Sequence, residues 1–256
     1  MRTAAMTCIV LYLTVMSVLK TRAAQLSPKG QEALEKFADP KTADSGTMDT
    51  RAAARETLIA EGAAAVPALD NLLQNSESFA VRLNALIALT KIAEKEPDAV
   101  EVVTERLSAL LAAPAYPVRY WAVKLAGWSR HENSVPKLLE MLQAETDSAM
   151  LEELLLALGN SGSREALKPL TQVLRGTSDG HLRACAADAL GMMKNPEAVA
   201  ALLSGIEDSD PRVSNACAQA LTAITGCSLT LRPDDTPTQV EQKISRWQEC
   251  WDAKQK

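Results

Sequence analysis

Large rings are scarce in this 256-residue chain: aromatics make up 4% of it, and glycine contributes only 11 residues. Strands draw on aromatic and β-branched residues, so this composition argues against a β architecture and, with alanine and leucine dominant, favours helices. Histidine occurs twice, as His131 and His181. Neither has a partner at metal-ligand spacing along the chain, and no His-Glu-x-x-His is present. Each is read as a solvated turn residue, beside Glu132 and Asp179 respectively. There is no P-loop and no Gly-rich dinucleotide turn. The acidic run EKEPDAVEVVTE, residues 94–105, lacks the Asp/Asn/Gly order of a calcium loop. These absences point away from an enzyme and imply no cofactor and no metal.

Long apolar runs are also missing, apart from Cys8 to Leu19, CIVLYLTVMSVL. That run follows the positive Arg2 and precedes Thr21-Arg22-Ala23, which offers small residues around a cleavage point after Ala23. A spanning helix needs about 20 apolar residues, so residues 1–23 are read as a secretion signal peptide. An uncleaved anchor and a buried helix stay open as other readings of the run. Cleavage would move the formal charge from −5 to −8, because Arg2, Lys20 and Arg22 leave without any acid. An acidic body repels phosphate, so nucleic acid is excluded as the expected partner. The expected location is outside the cytoplasm, periplasmic or secreted, with no stable membrane span after cleavage.

What the chain does have is internal repetition. VRLNALIALT starts at Val81, VRYWAVKLAG at Val118, MLEELLLALG at Met150, LRACAADALG at Leu182 and VSNACAQALT at Val213. Successive starts are 37, 32, 32 and 31 residues apart, a solenoid period. Each copy continues through a short turn into a second apolar pattern: AVPALDNLL from Ala65, SVPKLLEML from Ser134, ALKPLTQVL from Ala166 and AVAALLSGI from Ala198. Prolines there are read as lying near helix starts, where the missing N–H costs nothing. Asp147, Asp179 and Asp210 precede the first helices and are placed to cap them. Small residues such as the alanines of 181–191 let helix axes approach, while Leu and Val fill the seam.

The first-helix pattern Val-Arg-x-x-Ala-x-x-Ala-Leu and the second-helix pattern Ala-Val-Pro-x-Leu-x-x-x-Leu resemble bacterial HEAT repeats, closest to the short type also seen in phycobilin lyase subunits. The resemblance covers roughly residues 49–225. It implies an all-α α-solenoid of about five to six helix pairs with capping helices at both ends. It implies little about activity, since such repeats serve scaffolds, adaptors, lyase subunits and repair proteins. The expected organisation is a signal at 1–23, an N-terminal helix and linker at 24–48, the solenoid at 49–225, and a loop with a Trp-bearing capping helix at 226–256. In that last helix Ile244, Trp247 and Trp251 share a face and read as a lid. Four cysteines lie beyond the signal, and three pairings are open to them. Cys227 and Cys250 flank the cap loop and the last helix as a possible disulfide, while Cys185 and Cys217 read as buried thiols.

Candidate binding residues come from two patterns. The stretch AYPVRYWAVKLAGW, 115–128, holds Tyr116, Tyr120, Trp121 and Trp128, four of the nine aromatics. Val118, Ala122, Leu125 and Ala126 should point inward. Trp121 shares its column with Asn84, Glu153 and Cys185, and such polar columns are expected to be partly exposed. Exposed Tyr and Trp are common interface anchors. The same rings packing into the gap of the longer second repeat is the competing reading. In repeats of this type the second helices line a concave face, whose outward residues would include Asp70, Gln74, Glu101, Glu105, Lys137, Glu140, Lys168 and Thr171. Arg82, Arg119 and Arg183 form a third column, expected to pair with turn carboxylates of an adjacent repeat. The functional expectation is an exported, non-enzymatic scaffold for an unidentified protein or peptide. An enzyme subunit resembling the bilin lyase proteins and a structural envelope component are the alternatives.

Overall fold

The computed structural model describes residues 26–39, 48–130, 132–232 and 234–254. The signal-peptide expectation, most of the linker and His131 lie outside them. The described residues form helices joined by turns, with a longer loop before the last helix and no strand among them. No described helix is long and apolar enough to cross a membrane. The fold is an all-α repeat of the α-solenoid kind, and its contacts divide it into two compact units meeting in sequence between Ala109 and Leu110.

The first unit contains α1 (Pro28–Ala38), α2 (Met48–Ala60), α3 (Val66–Asn75), α4 (Phe79–Ala93) and most of α5 (Pro97–Leu111). Ser27 caps α1 by accepting from the Gly30 amide at 3.0 Å, and Pro28 occupies the first turn. Helix α1 packs on α2, α3 on α4, and α2 on α4. Phe37, Leu58, Leu69, Leu89, Ile92 and Leu107 are fully buried. Asp70 departs from the expected outward row. It is buried and receives Arg106 in a two-pronged ion pair, Nε to Oδ1 at 2.6 Å and Nη2 to Oδ2 at 3.2 Å, with Gln74 donating to Oδ2 at 2.7 Å. An acid on a second helix is thus spent joining α3 to α5. The planar guanidinium fork satisfies the carboxylate that burial would otherwise penalise.

The second unit contains α6 (Tyr116–Trp128), α7 (Val135–Ala144), α8 (Ser148–Ser161), α9 (Arg164–Gly176), α10 (Gly180–Met193), α11 (Val199–Gly205), α12 (Pro211–Thr225) and α13 (Pro237–Lys254). The first helices of successive repeats stack in a row, α6 on α8, α8 on α10 and α10 on α12. Asp147, Asp179 and Asp210 cap α8, α10 and α12 by accepting from Met150, His181 and Arg212 amides at 2.8–2.9 Å. A 3-10 turn leads into α7 and α11, at Glu132–Ser134 and Pro196–Ala198. Helix α9 lacks that turn and begins at Arg164, so Pro169 stands inside the helix rather than near its start.

The alanine-rich faces meet glycines. A methyl group built on Gly127 would stand 2.7 Å from the Ala157 Cα, one on Gly159 2.6 Å from the Ala189 Cα, and one on Gly191 2.9 Å from the Ala220 Cα. The same contact therefore recurs at each junction of the row. Adjacent backbones approach closer than any side chain on those glycines would permit, and leucines fill the flanking space. Leu154, Leu158, Leu190 and Leu221 are all fully buried.

The Arg column divides. Arg183 pairs with Asp208 in the next turn through two bonds of 2.8 Å, and also donates to the Thr177 and Ser178 carbonyls. Arg119 pairs with no carboxylate among the described residues, and donates instead to the Ala113 and Pro114 carbonyls at 2.8 Å. The shared task is bracing the turn before its own helix, with the carboxylate added where the next turn supplies one. Arg82 does neither with its Nε, which is buried without an acceptor among the described residues.

At the C-terminal end α13 covers the last repeat. Trp247 is buried, its indole N–H donating to Thr225 Oγ1 at 3.2 Å, while Ile244 and Trp251 are half-buried against the same core. Cys227 and Cys250 form a disulfide that ties the loop to this helix. Lys254 Nζ donates to the Thr225 carbonyl at 3.0 Å, closing the end of α12 with a cation.

Two outcomes follow from this packing. Gly159→Ala gains about 1 kcal/mol of helix propensity but meets a backbone atom that cannot rotate away, and overpacking costs about 1–3 kcal/mol. The variant should unfold at lower urea than the parent, whereas Gly176→Ala, with nothing within 4 Å of the added methyl, should not. The Arg183 hydrogen bonds hold the Asp208 carboxyl below its ordinary pKa. A depressed folded-state pKa stabilises above the ordinary carboxylate range and is lost as pH falls through the folded value. Asp208→Asn should therefore lower the melting temperature at neutral pH, with the difference from the parent shrinking in acid.

Candidate functional site

Helix α6 carries the aromatic group. Tyr116 and Tyr120 stack at 6.1 Å between centroids, Tyr120 meets Trp121 edge-on at 6.3 Å, and Trp121 meets Trp128 edge-on at 6.4 Å. Trp128 is 55% exposed and Tyr116 39%, whereas Tyr120 and Trp121 are half-buried. Lys124 lies among three of the rings, its Nζ 5.2 Å from the Tyr120 centroid and 5.8 Å from those of Trp121 and Trp128. Such spacing supports cation–π attraction.

The next repeat anchors the group. Glu153 on α8 accepts from Tyr120 Oη at 3.1 Å and from Lys124 Nζ at 3.0 Å. The Glu153 bond is the main cause that raises the Lys124 pKa, so the ammonium stays charged. Tyr116 Oη donates to Asp147 at 2.7 Å, and that carboxylate also caps α8. Asp147 is held below its usual pKa chiefly by the Tyr116 bond, and the phenol is pushed up to about 12 by the same bond. Two carboxylates of the next repeat therefore hold Tyr116 and Tyr120, and Tyr116 and Trp128 remain exposed.

One inward assignment and one outward one change. Val118 is half-buried, although Val81, Met150 and Val213, each likewise the third residue of its helix, are fully buried; Val123 is buried as well. The polar column through Trp121 is less exposed than expected, with Glu153 and Cys185 both buried. A polar residue there is covered by the preceding repeat, so polarity does not mark solvent.

The remaining candidates are dispersed. Glu101 and Glu105 are exposed on α5, in the first unit. Lys137 and Glu140 pair with each other on α7 at 2.8 Å, an exposed contact worth little. Lys168 and Thr171 line an open groove with Arg175 and Glu197. Cys185 and Cys217 are buried free thiols. His181 is not merely a solvated turn residue: its Nε2 lies 3.1 Å from Glu152 Oε2 and 3.8 Å from Cys185 Sγ.

Sequence reasoning missed Lys124, Glu153 and the surroundings of His181. A signal for them existed. Arg55 bonds Asn84, Lys124 bonds Glu153 and Glu152 bonds His181, each pair 29 residues apart. That distance is one repeat less one helical turn, so it marks residues that meet across stacked first helices.

A family model of HEAT repeats matches residues 104–184 and 167–237, together more than half of the chain. The chain belongs to the HEAT-repeat family. Among solved structures, this HEAT-repeat chain is similar to the archaeal HEAT-like repeats protein from Thermococcus onnurineus NA1, at 14% identity and a TM-score of 0.52, with 90% of this chain and 98% of that one covered. An engineered protein gives 23% identity and a TM-score of 0.45, covering 75% and 96% of the two chains. The complex of CpcE and CpcF of phycocyanin lyase from Nostoc sp. PCC7120 gives 18% and 0.45, covering 88% and 95%. At these identities the likeness is one of fold. No curated protein matches the chain in sequence.

The Tyr116–Asp147 bond has a measurable consequence. A phenol whose folded-state pKa is raised keeps its proton beyond the ordinary value near 10, and the stabilisation is lost as pH climbs through about 12. Ultraviolet titration of the folded protein should show a late-titrating phenol that Tyr116→Phe removes. A normal titration in the parent would contradict the bond.

Proposed function

We propose that the chain is an exported, non-enzymatic scaffold that binds a protein or peptide through the aromatic surface of α6. The observation that carries this reading is the pair Tyr116 and Trp128, large rings left exposed in a group that Asp147 anchors through Tyr116 and Glu153 through Tyr120 and Lys124. Preordered aromatic side chains lose little entropy when a partner covers them, which is why Tyr and Trp dominate interface hot spots. HEAT repeats, moreover, present extended surfaces suited to binding other proteins.

Export is supported by the apolar run at residues 8–19 with small residues after it. The Cys227–Cys250 bridge supports it too, since structural disulfides persist in oxidising compartments. Residues 1–23 placed ahead of a reporter that is active only outside the cytoplasm should deliver that activity.

The binding reading is tested by mild crosslinking of the tagged protein in its native envelope fraction, followed by mass spectrometry. Trp128→Ala is the informative variant, because an exposed ring contributes little to the core. A dominant protein captured by the parent and reduced about tenfold or more in Trp128→Ala is the expected result, in line with hot-spot truncations. Equal capture by both would move the site off α6, and no capture by a folded parent would defeat the scaffold reading.

A further inference from the structure

Glu152 on α8 and His181 and Cys185 on α10 converge in the second unit, with their ligand atoms within 4.8 Å of one another. His181 and Cys185 are four residues apart and therefore share a helix face. Glu152 reaches them from the preceding repeat, at the same 29-residue spacing as the other polar contacts between first helices. A plain polar contact accounts for Glu152 and His181. It does not account for a buried thiol turned towards the same ring nitrogen.

A nucleophilic relay does not account for it either. In such a relay the carboxylate holds one imidazole nitrogen and the nucleophile faces the other. Here Glu152 and Cys185 both address Nε2. Burial, reinforced by the charges of Glu152, Asp188 and Asp179, pushes the Cys185 thiol up to about 11, so it is not an activated nucleophile. Three donors converging on one point suit a cation placed between them.

We propose that Glu152, His181 and Cys185 form a binding site for a divalent transition metal of the zinc class. Zinc takes sulfur at about 2.3 Å and nitrogen or oxygen at about 2.0–2.2 Å, so tetrahedral ligands stand about 3.4–3.6 Å apart. The observed separations of 3.1 and 3.8 Å bracket that range, and small side-chain adjustments suffice. Thiolate, imidazole and carboxylate together select zinc or cobalt over calcium or magnesium, which take oxygen. On binding, the thiol proton leaves to solvent, and the Nε2 hydrogen that Glu152 accepts in the metal-free chain is given up, so that the neutral imidazole ligates through Nε2 with its single proton on Nδ1. The thiolate and carboxylate then balance the ion's charge. Glu152 and His181 are 43% and 48% exposed, which gives the ion a way in, and the three protein ligands leave a fourth position for water. The bound ion would fasten α8 to α10 across a repeat junction.

The test is a cobalt titration of the full folded chain with its disulfide intact. The expected result is one cobalt per chain with a sulfur-to-cobalt charge-transfer band, displaced by zinc. Cys185→Ser should abolish the band, and His181→Ala and Glu152→Gln should each weaken binding about tenfold or more. Cys217→Ser, altering the other free thiol, should keep the band. Cobalt binding without a charge-transfer band, a band that survives Cys185→Ser, or affinity untouched by Glu152→Gln would each overturn the proposal. Should Cys185→Ser fail to fold, Glu152→Gln decides the matter, because its half-exposed side chain tolerates the isosteric change.

Discussion

The second unit depends on how closely neighbouring first helices can approach. Gly127, Gly159 and Gly191 each lie against an alanine of the next first helix, at separations that leave no room for one more methyl group. That contact fixes the axial distance and the lateral register of each junction, because only a glycine opposite an alanine can occupy it. Leucines beside it then find gaps of the right depth, and packing at that density makes the junctions rigid. An alanine-rich helix in this protein is a spacer with a defined thickness.

Register set in this way determines which polar residues meet. Once α6, α8 and α10 stack at a fixed offset, a residue faces another 29 positions later, and the chain uses that offset for Lys124 with Glu153 and for Glu152 with His181. Arg55 with Asn84 uses the same offset in the first unit. The row of first helices is therefore apolar in its interior and laced with hydrogen bonds along its border. Both candidate sites of the second unit sit on that border. The aromatic surface exists as an ordered group because Glu153 and Asp147, one repeat later, hold Lys124 and two phenols. The Glu152–His181–Cys185 cluster exists because α8 and α10 meet in the same register.

The first and last described helices are each tied to the repeat beside them. Helix α1 is capped by Ser27 and buries Phe37, while α13 buries Trp247 and is pinned by the Cys227–Cys250 bridge and by Lys254 on the Thr225 carbonyl at the end of α12. The tryptophans of α13 thus face the core of the last repeat, unlike Trp128 on α6. The same residue type is buried in one place and exposed in the other.

Helical class, repeat period, capping aspartates and the alanine–leucine division of labour were legible in the sequence, because each depends on spacing within some forty residues. The aromatic concentration on α6 was legible for the same reason. Burial of Asp70 and Glu153 was not, since a charged residue reads as exposed until its partner is known. Those partners, Arg106 for Asp70 and Lys124 with Tyr120 for Glu153, stand 29 to 36 residues away. By itself the sequence determined that helices form, how long each repeat is and which stripe of each helix is apolar, all of them local properties. Only the tertiary structure decided which repeat lies against which at what offset, and hence that a glutamate, a histidine and a cysteine from two helices point at one place. That offset comes from close packing between chain segments, which no single segment contains.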